Sequence, residues 1–277
     1  MAGIYKAYDV RGIYPTEIDE AIARKIGLAF QHLLDAEDRA HGGTKVVVSR
    51  DMRPSSLPLA AALIEGLTAA GLDVIDIGLA TTPMNYFAIG HLGAAGGIQV
   101  TASHNPAEYN GMKLSKHEAR PVSGDHGIPL LEQKVMAGDL PEAARPGRVT
   151  TADVFAAYQR HVLSFLRRPA GARPLKVVID AANGMGTIDR PIFEAMGIEV
   201  VPLYFELDGT FPNHEANPLV LANLRDLIAK VRETGADLGV SCDGDYDRLA
   251  FVDETGEPVG SDLVTGLIAG ELLSREP

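Results

Sequence analysis
Lys45-Val-Val-Val-Ser49 returns about 130 residues later as Lys176-Val-Val-Ile-Asp180, and the two runs open the same order of elements. Short β-branched runs of this kind, apolar on both faces, read as strands buried within a parallel sheet. After the first come a helical stretch over 57–70, the strand Gly71-Leu-Asp-Val-Ile-Asp-Ile-Gly78 and then Gly97-Ile-Gln-Val-Thr101. After the second come a helical stretch over 187–196, the strand Gly197-Ile-Glu-Val-Val-Pro-Leu203, a helical stretch over 219–233 and Ala236-Asp-Leu-Gly-Val-Ser241. Strands alternating with helices predict an α/β fold of two similar mixed, mostly parallel sheets with helices packed on them, repeated in tandem.

The Pro/Ala/Gly-rich stretch Pro141-Glu-Ala-Ala-Arg-Pro-Gly147 marks the joint between the repeats. A first domain is therefore expected over 1–148 and a second over 149–256. Leu249-Ala-Phe-Val-Asp253 and Glu257-Pro-Val-Gly260 flank a Glu-Thr-Gly turn and predict a hairpin. Ser261-Asp262 resembles a helix N-cap, and 263–273 predicts a very apolar helix. That helix reads as the start of a third domain, 257–277, so the sequence is expected to be the front part of a longer protein. An unpartnered apolar helix would favour self-association.

A formal net charge of -12 argues against a nucleic-acid binder, which needs a basic face, but leaves room for a local basic pocket. Cys242 is the single cysteine, so no intrachain disulfide can form. The N-terminus carries no signal-peptide core, and no apolar run approaches the roughly 18 residues that span a bilayer. A cytoplasmic protein without nucleic-acid or membrane partners is expected.

Two segments carry the chemistry: Thr101-Ala-Ser-His-Asn-Pro106 and Asp243-Gly-Asp-Tyr-Asp-Arg248. Each comes after a predicted strand, where open α/β sheets bind ligands. Ser103 reads either as a turn serine or as a phosphoryl carrier, with His104 and Asn105 able to donate hydrogen bonds nearby. Asp243, Asp245 and Asp247 alternate in a short loop, the pattern of hard-cation ligation by oxygen. An EF-hand competes, with Glu254 at loop position twelve, but Arg248 stands where the sharp turn needs glycine and the flanks read as strands. Three carboxylates plus a phosphate oxygen suit Mg²⁺; the alternative is a solvated acidic turn, which Tyr246 and Arg248 make less natural. Metal-assisted phosphoryl transfer is the chemistry the two segments imply together.

Lys113 lies ten residues after Ser103, close enough to fold back beside it. It is a candidate general acid/base or charge clamp. Arg50-Asp-Met-Arg53 can bind an anion or cap the next helix, capping being the better reading. Asn183-Gly-Met-Gly186 reads as a tight strand-to-helix turn rather than a phosphate cradle. His91, His126, His161 and His214 show no metal-ligand spacing, and Cys242 reads as packed rather than reactive.

With these segments in place, the chain resembles the α-D-phosphohexomutase superfamily, in particular its bacterial phosphomannomutase/phosphoglucomutase members. Four segments carry the likeness in family order: Tyr8-Asp-Val-Arg-Gly12, Thr101-Ala-Ser-His-Asn-Pro-Ala-Glu-Tyr-Asn-Gly-Met-Lys113, Phe211-Pro-Asn-His-Glu-Ala-Asn-Pro218 and Asp243-Gly-Asp-Tyr-Asp-Arg248. The resemblance implies that Ser103 is the phosphorylated serine and that Asp243, Asp245, Asp247 and the Ser103 phosphate hold Mg²⁺. It implies active-site roles for Arg11, His104, Lys113 and Arg248, with Tyr8 lining the same cleft and Tyr8, Arg11 and Lys113 meeting the substrate.

The implied activity is reversible transfer of phosphate between the 1 and 6 positions of a phosphosugar, with a hexose 1,6-bisphosphate as intermediate and activator. Family members have four domains. Neither the third-domain Gly-Glu-x-Ser type signature nor the fourth-domain phosphate-gripping loop occurs in this sequence. The 277 residues alone are therefore expected to turn over weakly or not at all. A non-catalytic binding fragment and a Mg²⁺-dependent phosphatase using the same serine are the alternatives.

Overall fold
The computed structural model describes residues 2–125, 127–167 and 171–275. The first half contains β1 (Val10–Ile13), α1 (Glu20–Phe30), α2 (Ala36–Gly42), β2 (Lys45–Arg50), α3 (Ser56–Ala69) and β3 (Asp73–Leu79). It continues through α4 (Thr82–His91), β4 (Gly96–Val100), β5 (Tyr109–Lys116), α5 (Ile128–Ala137), β6 (Val149–Thr151) and α6 (Phe155–Ser164). The second half contains β7 (Lys176–Asp180), α7 (Arg190–Ala195), β8 (Glu199–Leu203), α8 (Arg225–Thr234), β9 (Leu238–Cys242), β10 (Leu249–Asp253), β11 (Pro258–Val259) and α9 (Ser261–Arg275).

The strands form two sheets, in the orders β1-β5-β4-β2-β3-β6 and β11-β10-β9-β7-β8. The repeat read from the sequence is a structural repeat. In each sheet three strands run parallel (β4, β2, β3 and β9, β7, β8) and the next strand, β5 or β10, lies antiparallel beside them. The expected joint at 148/149 falls just before β6, which pairs in parallel with β3 and so belongs to the first sheet. Val46, Val47 and Val48 are fully buried, as a central parallel strand covered on both faces requires.

Two glycines bring α1 and α3 together. A Cβ on Gly27 would lie 2.4 Å from the Leu63 carbonyl oxygen, and one on Gly66 would lie 2.0 Å from that of Arg24. The helices pack backbone to backbone over a core that includes Ile26, Phe30, Leu63 and Leu67. A separate cluster joins the halves: Met84 and Ile89 of α4 pack with Tyr158 of α6 and Ile192 of α7. This seam fixes the two sheets against each other, so that the loops after β4 and β9 meet.

Two helices are shorter than the sequence suggests. Over 187–196 a 3₁₀ turn, Met185–Asp189, precedes α7, whose first turn contains Pro191. Proline has no N–H to donate and fits only the first turn of a helix. Over 219–233 a 3₁₀ turn, Leu221–Leu224, precedes α8, which ends at left-handed Gly235. The hairpin β10–β11 forms as expected, and α9 leaves Leu263, Leu267, Ile268 and Leu272 exposed. Among the described residues no helix is long and apolar enough to cross a membrane.

Candidate active site
The β4–β5 and β9–β10 connections stand at the same place in their sheets and face each other. They approach so closely that a Cβ on Gly244 would lie 2.4 Å from the Ser103 carbonyl oxygen. Ser103 is fully buried and takes φ 51, a left-handed conformation unusual for a residue with a side chain. Its N–H is held by Thr101 Oγ1 at 2.9 Å, and Thr101 Oγ1 in turn donates to Asp51 Oδ2 at 2.7 Å. The Ser103 hydroxyl donates to Asp243 Oδ2 at 2.7 Å, across the two halves.

Asp243 Oδ1 accepts the backbone N–H groups of Asp247 (3.0 Å) and Arg248 (3.1 Å), which folds the aspartate loop around its own carboxylate. Ligand oxygens of Asp243, Asp245 and Asp247 lie within 4.8 Å of one another. This is the only such cluster of potential metal ligands among the described residues. The flanking elements β9 and β10 are strands, which removes the EF-hand reading. Asp245 Oδ1 is buried with no hydrogen-bond partner. An orphaned buried carboxylate oxygen is costly, and here it faces an all-oxygen donor set suited to a hard divalent cation.

Lys113 reaches the loop from β5. Its Nζ lies 2.5 Å from both Asp245 Oδ2 and Asp247 Oδ2. Burial disfavours the ammonium, but the two carboxylates outweigh it and hold the Lys113 pKa above its ordinary value. Burial and the neighbouring charges of Asp245 and Asp247 push Asp243 up. Burial also opposes the charge on Asp245, but Lys113 prevails and holds its carboxyl below the usual range. Thr82, at the first turn of α4, donates its N–H to the Asp245 carbonyl (3.0 Å) and its hydroxyl to Asp245 Oδ2 (2.6 Å). The positive end of that helix dipole favours the carboxylate further.

A polar cleft of about 480 Å³ opens beside Ser103, lined by Lys6, Arg11, His104, Asn105, Tyr109 and Arg248 together with Gly3, Asp9 and Glu17. Arg11 Nη1 donates to the Ala102 carbonyl at 2.8 Å, and its Nε is buried without a partner. Arg248 Nη1 donates to His104 Nδ1 at 2.8 Å. Burial, then the charges of Arg248 and Arg11, lower the His104 pKa and favour the neutral ring. Tyr8 is 72% exposed and lies outside the lining of this cleft. A larger cavity, about 580 Å³, sits by Lys45 and Asp73 at the amino ends of β2 and β3 and holds none of the motif residues.

Asp51 accepts from the Arg53 N–H at 3.0 Å, in the turn before α3, and from the Ser56 hydroxyl. The expected helix cap does not form, since the N-cap Ser55 makes no side-chain cap bond; the Arg53 side chain turns inward. The 181–185 turn supports the aspartate loop, with Met185 N–H donating to the Gly244 carbonyl at 2.9 Å. His214 Nε2 pairs with Asp180 at 2.9 Å and His91 stacks on Phe87; His126 lies outside the described residues. Cys242 is buried, and burial pushes its thiol pKa up. Thr82 was not legible as a site residue, because its partner Asp245 lies in another element.

Comparison with known proteins gives the family of the two halves. Residues 3–140 match the phosphoglucomutase/phosphomannomutase alpha/beta/alpha domain I, and residues 156–256 match domain II of the same family. A Xanthomonas campestris protein named for phosphohexose mutases is 43% identical over 99% of this chain and 59% of its own length. A Pseudomonas putida phosphomannomutase/phosphoglucomutase is 39% identical over 99% of this chain and 57% of its own length. The crystal structure of a Burkholderia thailandensis phosphoglucomutase/phosphomannomutase family protein superposes with a TM-score of 0.90 at 39% identity, over 100% of this chain and 60% of that one. A putative phosphomannomutase from Thermus thermophilus gives 0.83 at 26% identity, over 98% and 62%. The chain belongs to the α-D-phosphohexomutase superfamily, whose domains I and II its two halves form. It spans about three fifths of the length of the relatives it matches.

Proposed function
We propose that this chain carries the phosphoryl-transfer site of a phosphohexomutase that interconverts hexose 1-phosphate and hexose 6-phosphate. The observation that carries the reading is the contact of Ser103 Oγ with Asp243, inside a triad whose Asp245 Oδ1 lacks any partner. A nucleophile and a hard-cation site this close suit metal-assisted phosphoryl transfer. Asp243, Asp245, Asp247 and an oxygen of phosphorylated Ser103 would hold Mg²⁺, which supplies Lewis-acid polarisation of the phosphoryl group.

In the forward half-reaction a sugar hydroxyl oxygen bonds to the phosphorus of phosphoserine 103 as the bond to Oγ breaks. The sugar hydroxyl gives up its proton and the departing Oγ takes one up, so the transfer is proton-neutral overall. The reverse half-reaction, at the other end of the sugar, restores the phosphoserine and leaves the isomeric monophosphate. Lys113, between Asp245 and Asp247, neutralises charge at the reacting phosphoryl group. Arg11 and Arg248 offer cationic groups to sugar phosphate in the cleft, and neutral His104, at 3.5 Å from Ser103 Oγ, borders the reacting oxygen. Hexose 1,6-bisphosphate is the activator because it loads an unphosphorylated Ser103.

The half-reaction tests this. Incubated with glucose 1,6-bisphosphate and Mg²⁺, the protein is expected to gain one phosphate per glucose monophosphate formed, with no inorganic phosphate released. Steady release of inorganic phosphate would favour the phosphatase alternative. Neither product would favour a binding fragment.

A further inference from the structure
The segment Phe211-Pro-Asn-His-Glu-Ala-Asn-Pro218 contributes no side chain to the cation triad, and Arg53 contributes none to the cleft lining. Yet the two sides meet behind the serine. The Arg53 side chain is completely buried. Its Nη1 donates to the carbonyls of Pro106 (2.6 Å) and Tyr109 (3.1 Å), and its Nη2 to those of Ser103 (3.0 Å) and Asn105 (2.7 Å). One guanidinium thus grips four carbonyls of the loop that presents Ser103. Its Nε faces Asp51 Oδ2 at 3.2 Å, and Asp51 also anchors Thr101.

The second half covers this guanidinium. The Phe211 ring lies over it, 4.9 Å from Arg53 Cζ to the ring centroid. The tip of the same ring would lie 3.5 Å from a Cβ on Gly244, so it also borders the aspartate loop. Phe211 reaches this place at φ 51, and Gly209 passes so near that a Cβ there would lie 2.5 Å from Arg53 Cα. A left-handed phenylalanine is strained, and such strain persists only where surrounding structure enforces it.

We propose, resting on the functional reading above, that Arg53 and Phe211 are a positioning pair that holds the Ser103 phosphoryl group in register with the aspartate triad. Arg53 touches neither substrate nor cation. It acts by holding the Ser103 backbone in its left-handed conformation, and Phe211 ties that hold to the second half of the chain. The planar five-donor fork of arginine is what allows one side chain to bind four carbonyls. Lysine keeps the charge but cannot reproduce the fork.

The test encodes phosphoserine at position 103 and measures Mg²⁺ affinity by calorimetry, with and without the phosphate, in the wild type, Arg53→Lys and Phe211→Leu. In the wild type the phosphate, with about -1.5 to -2 charges, is expected to tighten Mg²⁺ on the order of tenfold. In both variants the unphosphorylated affinity stays within about threefold of wild type, while the tightening falls below about threefold. Because lysine retains the charge, a loss of tightening in Arg53→Lys reports geometry rather than electrostatics. If Arg53→Lys does not fold, Phe211→Leu decides alone, since it leaves every Arg53 hydrogen bond available. Full tightening in the folded variants overturns the positioning pair. Absence of tightening in the wild type overturns the functional reading and the pair with it.

Discussion

The Ser103 hydroxyl meets the Asp243 carboxylate at 2.7 Å although the two residues lie on loops of different sheets. The contact exists because the repeat puts one connection after β4 and its counterpart after β9, and because the α4–α6–α7 seam turns the two ends of the sheets toward each other. Nucleophile and cation ligands therefore come from separate halves of the chain.

Asp245 brings an unpartnered oxygen to the triad, so its charge matters most to a bound cation. Asp245→Asn is expected to weaken Mg²⁺ on the order of tenfold or more, since it removes an anionic ligand from an all-oxygen site. Calorimetry with the same Mg²⁺ affinity in the variant and the wild type would remove Asp245 from the ligand set.

Gly244 has no room for a methyl group beside the Ser103 carbonyl. Gly244→Ala is expected to push the two loops apart, costing about 1–3 kcal/mol of stability and slowing phosphorylation of Ser103. A variant equally stable in urea and equally fast in phosphorylation would show that the approach of the loops has no consequence.

Asp189 gives a pH-dependent prediction outside the site. Burial raises its pKa from 3.8 to about 7, and its Oδ1 has no partner. The folded state thus holds this proton more tightly than the unfolded state. Its stability falls as pH rises from about 4 to about 7 and is level above, by on the order of 4 kcal/mol in all. Asp189→Asn removes this dependence, so the gain over wild type should be larger at pH 8 than at pH 4.5. Urea unfolding with the same difference at both values would contradict a raised Asp189.

Residues 1–277 alone are expected to accept phosphate on Ser103 and to bind Mg²⁺, yet to isomerise glucose 1-phosphate far below the ordinary enzyme range of about 1–10³ per second. The bisphosphate must be held while the sugar reorients, and the matched relatives are longer than this chain. A coupled assay for glucose 6-phosphate, with bisphosphate supplied, checks this; turnover within that range would contradict it.

The repeat, the hairpin and the two motif loops were legible because each rests on local pattern: β-branched runs for β2 and β7, alternating aspartates after β9, a serine after β4. The start of α7 was not, because the apolar spacing of 187–196 hides the effect of Pro191. Tyr8 belongs to the family segment yet lies in solvent, since sequence adjacency to Arg11 does not fix which way a side chain turns. Thr82 gave no local signal, and the segments holding Arg53 and Phe211 stood out without showing what those two side chains touch. Thr82 reads as a helix start, Arg53 as a capping neighbour and Phe211 as a loop aromatic; their partners, Asp245, the Ser103 carbonyl and the Arg53 guanidinium, lie 50 to 163 positions away.

The most direct test of the account is the site of phosphorylation. The protein is incubated with glucose 1,6-bisphosphate and Mg²⁺, then digested, and its phosphopeptides are sequenced by mass spectrometry beside a Ser103→Ala control. The account predicts one phosphate, on Ser103, and none in the control. Stable phosphate on another residue, with Ser103 unmodified, would contradict it.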